Sequence, residues 1–279
     1  MLEIALTLSL SFASTAGPVP APLPPAVRFQ ESVQDAGDEE HAPLDEEAMA
    51  ALVERLEALL GDKQAAPEDK VELIWQAVEF PHEDVVEVLA DGVDDKQHDV
   101  RLAALDALGL IDHEDAMQVL AKLVKKDKRL QKDEELAAQL FKSLGRYGDE
   151  DNLDLFTKGI LNAEGEVFQA RVLALGKIRT KESVEELLGV MNSGGGGGRL
   201  GAKSIAYMDQ LRLSLHALLG EDAGATRDKW QAWWNANRRG LEVSVEEPEL
   251  EGQLGRRWER YWRKDTRTTG EEREDERER

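Results

Sequence analysis

Three tryptophans near the end of the chain, Trp230, Trp233 and Trp234, have the type and spacing of a binding surface. At positions i, i+3 and i+4 of a helix they lie on one side, and clustered aromatic rings can bind a peptide or a sugar. The same spacing suits a structural role, in which the rings close the open end of a helical array. We favour the structural role, and we keep the three residues as candidate partner-binding residues.

A run of mixed aromatic and basic residues follows at positions 256–264. Such a mixture can stack on single-stranded nucleic acid or lie on an anionic membrane surface. The alternative is a final helix in which Trp258 and Trp262, at i and i+4, pack back onto the preceding helices. Acidic residues flank the run, so we favour the packing interpretation.

Two of the five histidines, His82 and His113, occur in the same short pattern, His-Glu-Asp, 31 residues apart. If they faced one another from adjacent repeats, they would offer a weak metal site together with Asp84 and Asp115. A surface turn that precedes a helix explains the same repetition, because acidic residues are favoured in the first turn of a helix. We therefore predict a repeated turn, with no metal and no cofactor.

A glycine-rich stretch at positions 194–204 approaches the phosphate-binding pattern G-x-x-x-x-G-K-S. Ala202 stands where that loop needs a glycine, and no predicted strand precedes it. We interpret the stretch as a flexible insertion between two helices. The chain contains no cysteine, and no Ser-His-Asp arrangement is evident in it, so we predict a protein that is not an enzyme.

A recurring Leu-Gly pair marks the helices that must position these residues. The pairs end at Gly109, Gly145, Gly176 and Gly220, with spacings of 36, 31 and 44 residues, in the range typical of stacked helix pairs. Gly109 is expected to adopt the left-handed conformation that ends many helices. Apolar periodicity predicts helix pairs at 68–80 with 83–93, 98–109 with 114–126, 132–145 with 150–161, 166–177 with 181–192, and 203–219 with 226–238.

No segment alternates between polar and apolar residues with the period of a strand. The predicted fold is therefore all-α: an α-solenoid of about five stacked antiparallel helix pairs. The segment at 99–109, DVRLAALDALG, resembles the first helix of a HEAT repeat, of the short bacterial type also found in phycobilin-lyase-like proteins. The resemblance extends over residues 68–220 and implies a HEAT-like stack. Within that stack, Arg101, Arg171 and Arg212 are further candidate partner-binding residues.

The segment from Leu219 onwards resembles the ending of some exported bacterial HEAT-type proteins. It carries Leu-Gly-Glu-Asp-Ala-Gly followed by Trp-x-x-Trp-Trp, but lacks the threonine of that pattern. At the other end, an apolar run at 4–12 precedes small residues at 14–16, as in a signal peptide, although no basic residue comes before it. We expect export, to the periplasm or outside the cell, with a cytoplasmic location as the alternative.

Composition divides the chain into four parts. We predict a signal peptide at 1–16, a disordered Pro/Ala-rich and acidic linker at 17–44, a solenoid with a Trp-rich cap at 45–240, and an extension with a short helix and a charged tail at 241–279. No segment has the length and apolar character of a transmembrane helix. The formal net charge is −22, and residues 31–100 hold 22 acidic but only 4 basic side chains.

These features favour a non-catalytic scaffold or adaptor whose solenoid surface binds a protein or peptide. The acidic first repeats favour a basic partner and disfavour general nucleic-acid binding. One alternative is a chromophore-lyase-like enzyme or an accessory subunit of one, which the repeat type implies. The second is a nucleic-acid-binding HEAT protein with a basic stripe formed by Lys122, Lys125, Lys126, Lys128 and Arg129. The sequence leaves the oligomeric state open.

Overall fold

The computed structural model describes residues 46–193 and 206–263. Within these ranges the chain forms twelve α-helices and no strand, which confirms the predicted all-α class. None of the described helices has the length and apolar character needed to cross a membrane. The helices are α1 Glu46–Gly61, α2 Pro67–Ala77, α3 Glu83–Gly92, α4 His98–Leu108, α5 Glu114–Lys126, α6 Glu134–Arg146, α7 Leu153–Thr157, α8 Gly165–Leu175, α9 Lys181–Asn192, α10 Met208–Leu219, α11 Arg227–Asn237 and α12 Gly252–Trp262.

Alternate helices form two layers. α2, α4, α6, α8 and α10 pack side by side in what we call the first layer. The second layer contains α1, α3, α5 and α7 in succession, and α9 with α11. One continuous hydrophobic core runs between the layers from Met49 to Trp230. This arrangement confirms the α-solenoid of stacked helix pairs, with α1 placed ahead of the first pair.

The second helix of the third pair is shorter than predicted. The expected helix at 150–161 consists of α7 between two single 3-10 turns, Glu150–Asn152 and Ile160–Asn162. Gly159 interrupts it with a φ of 70°. Arg171 of α8 donates hydrogen bonds to the carbonyl oxygens of Phe156 (2.8 Å) and Lys158 (2.7 Å). A buried side chain from the next pair thus satisfies carbonyl groups that a longer helix would have bonded internally.

The glycines of the Leu-Gly pairs let neighbouring helices of the first layer approach closely. A Cβ placed on Gly109 would lie 2.6 Å from the Cα and Cβ atoms of Ser143, and one on Gly145 would lie 2.6 Å from the Cβ atom of Ala174. Gly176 makes the same kind of approach to α10. In each case the glycine of one pair meets the first helix of the next pair.

The prediction that Gly109 adopts a left-handed conformation is wrong. Its φ and ψ are −79° and −7°, which are right-handed values open to any residue. The contact with Ser143, and not the backbone conformation, explains the glycine there. Among the four Leu-Gly glycines only Gly220 has a positive φ, 71°, where it ends α10.

The repeated His-Glu-Asp pattern is a repeated helix N-cap. His82 Nδ1 accepts a hydrogen bond from the main-chain N–H of Asp84 (3.2 Å), and His113 Nδ1 accepts one from that of Asp115 (3.3 Å). Both histidines thereby satisfy an N–H group that a helix start would leave unbonded. The predicted surface turn is confirmed.

After the last pair the chain returns to the first layer. α12 packs on α10, and Trp258 is buried among Leu173, Leu213 and Ala217. Trp262 lies close to Gly145 of α6. The predicted packing of this helix back onto the array is confirmed.

Several predictions lie outside the described residues. They are the signal peptide at 1–16, the linker at 17–44, the glycine-rich stretch at 194–204 and the charged tail at 271–279.

Candidate interaction surfaces

The structure divides the tryptophan cluster of α11 between the core and the surface. Trp230 is fully buried, and its indole Nε1 donates to the carbonyl oxygen of Gly224 (2.8 Å). Trp233 is half-buried, with its ring edge-on to that of Trp230 and its Nε1 donating to Glu221 (2.9 Å). Trp234 is also half-buried but contributes to a surface groove. One ring therefore closes the core, while another is available to a partner.

The groove lies between α9 and α11 and has a volume of about 690 Å³. At one end Lys181 Nζ donates to the carbonyl oxygen of Arg238 (2.9 Å), and at the other Asn192 donates to the side chain of Gln231 (2.9 Å). The start of α9 therefore lies beside the end of α11, so the two helices run in opposite directions. Leu188 and Trp234 contribute apolar surface between these two contacts.

The charge of the groove is opposite in sign to that of the chain. Its basic side chains are Lys181, Arg238 and Arg239, and its acidic side chain is Glu185. Arg238 and Arg239 are exposed, and neither forms an ion pair with any residue that the structure describes. A protein with a formal net charge of −22 thus presents a cationic groove beside an aromatic ring.

Arg171 has a structural role. Its side chain is buried on α8, where it bonds the carbonyl oxygens at the end of α7 and stacks over Phe141, with 5.1 Å between the guanidinium carbon and the ring centroid. Burial lowers the pKa of Arg171 to about 10. The guanidinium joins two consecutive helix pairs and offers little surface to a partner.

Arg212 and Arg101 are both half-buried. Arg212 on α10 forms a bidentate hydrogen-bonded ion pair with Asp222, in the turn before α11. The hydrogen bond from Arg212 holds the pKa of Asp222 below its usual value. Arg101 lies on α4, and its Nε atom has no hydrogen-bond partner among the described residues. The three candidate arginines therefore lie in three different settings, and no single site brings them together with the tryptophans.

The first helices carry an acidic surface. Between Glu46 and Asp94 all acidic side chains are exposed, whereas the exposed basic side chains in that interval are Arg55 and Lys63.

The basic stripe considered above lies on α5 and the turn that follows it, where Lys122, Lys125, Lys126, Lys128 and Arg129 are exposed. Arg129 pairs there with Asp94 (2.7 Å) and Asp127 (3.0 Å), so part of the stripe's charge is neutralised.

No group of three or more acidic, histidine or cysteine side chains within 46–193 and 206–263 is placed to hold a metal ion. His82 and His113 face the starts of their own helices.

Sequence reasoning identified Trp234 but missed the residues around it. Lys181 and Gly189 lie 53 and 45 positions earlier, on α9. How α9 lies against α11 depends on the tertiary structure. Two adjacent arginines at 238 and 239, one helical turn after Trp234, were the available signal.

Comparison with known proteins agrees with the geometry. A family model described as HEAT repeats matches residues 49–132, which span most of α1 and all of α2 to α5. This match supports a HEAT-repeat family, and the same stacking continues beyond it to α10. No curated protein matches the sequence.

Proposed function

We propose that this protein is an exported, non-catalytic scaffold or adaptor that binds partner proteins on its helical surfaces. The observation that carries the proposal is the solenoid itself, because stacked helix pairs expose extended surfaces suited to a peptide or protein. HEAT repeats fit such a role. The open groove on the second layer, which Trp234 borders, supports a role in binding a partner in addition to a structural role.

The acidic surface of α1 to α3 supports a basic partner at that end. Complementary charge steers association and selects among partners more than it adds affinity. On α3, Glu83, Glu87 and Asp91 are exposed at successive turns of one helix. A partner with a matching basic surface would bind faster at low ionic strength and slower in salt.

Export is proposed from the first residues and from the resemblance of the closing segment. The apolar run at 4–12 followed by small residues at 14–16 supports a cleaved signal. Cell fractionation together with the mass of the mature N-terminus tests this part alone. An intact chain recovered from the cytoplasm would contradict export without affecting the scaffold proposal.

A binding experiment tests the scaffold role. The tagged full-length chain is purified from envelope and cytoplasmic fractions of the source organism, and each recovered protein is titrated against the purified chain. We expect at least one protein to bind saturably. We also expect the Glu83→Lys/Glu87→Lys variant to bind it more weakly.

The matched control is Glu182→Lys/Glu186→Lys on α9. These two glutamates are also exposed, also four residues apart and also begin in the first turn of their helix. Equal weakening by both double variants would contradict an acidic binding surface on α3. Absence of any saturable partner from both fractions would contradict the scaffold role.

A further inference from the structure

Gly189 on α9 has no packing reason within the described chain. It is an exposed residue inside a helix, where glycine is less stable than alanine because it loses more backbone freedom on folding. Apart from its chain neighbours and the backbone of its own helix, no described atom lies within 4 Å of the position that a Cβ would take. Gly189 differs in this respect from Gly109 and Gly145, because the neighbours of those two glycines leave no room for a Cβ.

The space above Gly189 is the groove between α9 and α11. Glycine permits another chain's backbone to approach a helix surface closely. Trp234 and Leu188 supply apolar surface beside this opening. A bound segment can therefore place its backbone near Gly189 and one apolar side chain against the indole ring.

Three cations border the same opening. Lys181 uses one ammonium hydrogen to bond the carbonyl oxygen of Arg238, which leaves two donors and the charge available. Arg238 and Arg239 are exposed at the end of α11, without an acidic partner among the described residues. Glu185 offsets one of these three charges, so the groove retains a net positive charge that favours carboxylates.

We propose that this groove binds an acidic segment of a partner protein that carries one large apolar residue. The apolar side chain packs on Trp234 and Leu188, the carboxylates bond Arg238, Arg239 and Lys181, and the backbone passes over Gly189. This inference rests on the proposed scaffold function, because the molecule that occupies the groove is a partner protein. It assigns a second surface, of opposite charge to the acidic surface of α1 to α3, with its own kind of partner.

The volume and chemistry favour a peptide over the sugar considered for the tryptophan cluster. About 690 Å³ accommodates a short segment and falls within the usual range for ligand pockets. A neutral sugar would leave the arginine charges without partners, whereas carboxylates satisfy guanidinium groups in bidentate pairs.

Selection from a display library of random linear peptides against the full-length protein is the first test. We expect enrichment of peptides that combine several Asp or Glu residues with one large apolar residue. Fluorescence polarisation with an enriched peptide then compares variants. Arg238→Glu/Arg239→Glu should weaken binding by about tenfold or more, the loss of two charge-assisted contacts.

The matched control is Arg256→Glu/Arg260→Glu on α12. Both arginines are exposed, and the net charge changes by the same amount outside the groove. We expect binding within about twofold of the wild-type protein, because screened charges at a distance contribute little. Thermal unfolding of both variants checks that each retains the fold.

Gly189→Ala separates the binding role from a role in folding. The substitution should raise the urea concentration at the midpoint of unfolding, since alanine favours a helix, and should weaken peptide binding several-fold because a methyl group enters the groove. A variant that is less stable, or equally able to bind, would contradict the assigned role of Gly189.

Three outcomes overturn the proposal: no enrichment of any peptide, enrichment of neutral or basic peptides, and equal weakening by the groove variant and its control. The partner captured for the scaffold test distinguishes the two proposals. If its binding is saturable but insensitive to Arg238→Glu/Arg239→Glu and no acidic peptide is selected, the scaffold role stands and the groove assignment fails.

Discussion

Gly109 lies directly against Ser143, so that a Cβ on the glycine would come within 2.6 Å of both the Cα and Cβ atoms of the serine. The first atom belongs to the main chain of α6 and cannot turn away as a flexible side chain would. Because Gly109 has ordinary right-handed backbone angles, this contact alone requires glycine. The spacing between two consecutive helix pairs thus depends on one missing methyl group.

Gly109→Ala is predicted to lower the free energy of unfolding by about 1–3 kcal/mol, the usual cost of overpacking a tightly packed interface. Urea denaturation followed by circular dichroism measures it. Gly189→Ala is the control, since it adds the same methyl group where no described atom outside the adjoining helix backbone and chain neighbours lies within 4 Å. If both substitutions shifted stability in the same direction, the contact with Ser143 would not explain the glycine.

His113→Ala is predicted to destabilise the protein by about 0.5–2 kcal/mol, because it removes the side-chain acceptor for the first turn of α5. His113→Asn keeps an acceptor at this position and should retain most of the stability. Thermal unfolding at neutral pH compares them. Equal losses in the two variants would argue against capping as the role of His113.

Arg171→Met is predicted to cost at least about 2 kcal/mol, because it leaves buried carbonyl oxygens of the α7 region without donors. Methionine retains much of the apolar volume of the arginine stem. Arg212→Met provides the comparison, since its ion pair with Asp222 is partly exposed and should contribute about 1 kcal/mol or less. Urea midpoints of the two variants should therefore differ clearly.

Asp222 is predicted to make stability depend on pH in the acidic range. Because the hydrogen bond from Arg212 lowers the pKa of Asp222 in the folded state, the ionised form stabilises the fold above the unfolded pKa of about 3.9. This contribution disappears as pH falls through the lower folded pKa. Asp222→Asn should be less stable than the wild-type protein at neutral pH, and the difference should shrink in strong acid.

Trp258→Ala is predicted to destabilise the packing of α12 by about 3–5 kcal/mol, since the ring is buried on the first layer. The remaining solenoid should keep its helices, because its core lies between the layers. Faster proteolysis near α12 with little loss of helical circular dichroism would report this. Cooperative unfolding of the whole chain would instead mean that α12 is part of the main folding unit.

Most of the helix boundaries were predictable from local signals. The predicted pair at 98–109 and 114–126 agrees within a residue with α4 and α5, because apolar periodicity and capping residues act over one or two turns. The pair at 150–161 was predicted less well. Gly159 was a local signal for its interruption, whereas Arg171, which bonds the freed carbonyl oxygens, comes from another helix pair and leaves no trace in the sequence of α7.

The candidate site was predictable only in part. The helical spacing identified Trp234 as a candidate partner-binding residue. It identified Trp230 and Trp233 as well, although Trp230 is fully buried. Helical periodicity states which residues share a side of a helix and not what covers that side. Lys181 and Gly189 join the groove because α9 and α11 run in opposite directions.

The sequence by itself determined the helical repeats, the repeated His-Glu-Asp turns and the acidic charge of the first pairs, since each of these depends on residue types at short separations. Only the tertiary structure decided that the recurring glycines serve close contact between helices, that α12 covers the first layer, and that a cationic groove opens beside Trp234. These features depend on distances between atoms that are far apart in the chain. Tertiary packing sets such distances, and the local sequence pattern does not.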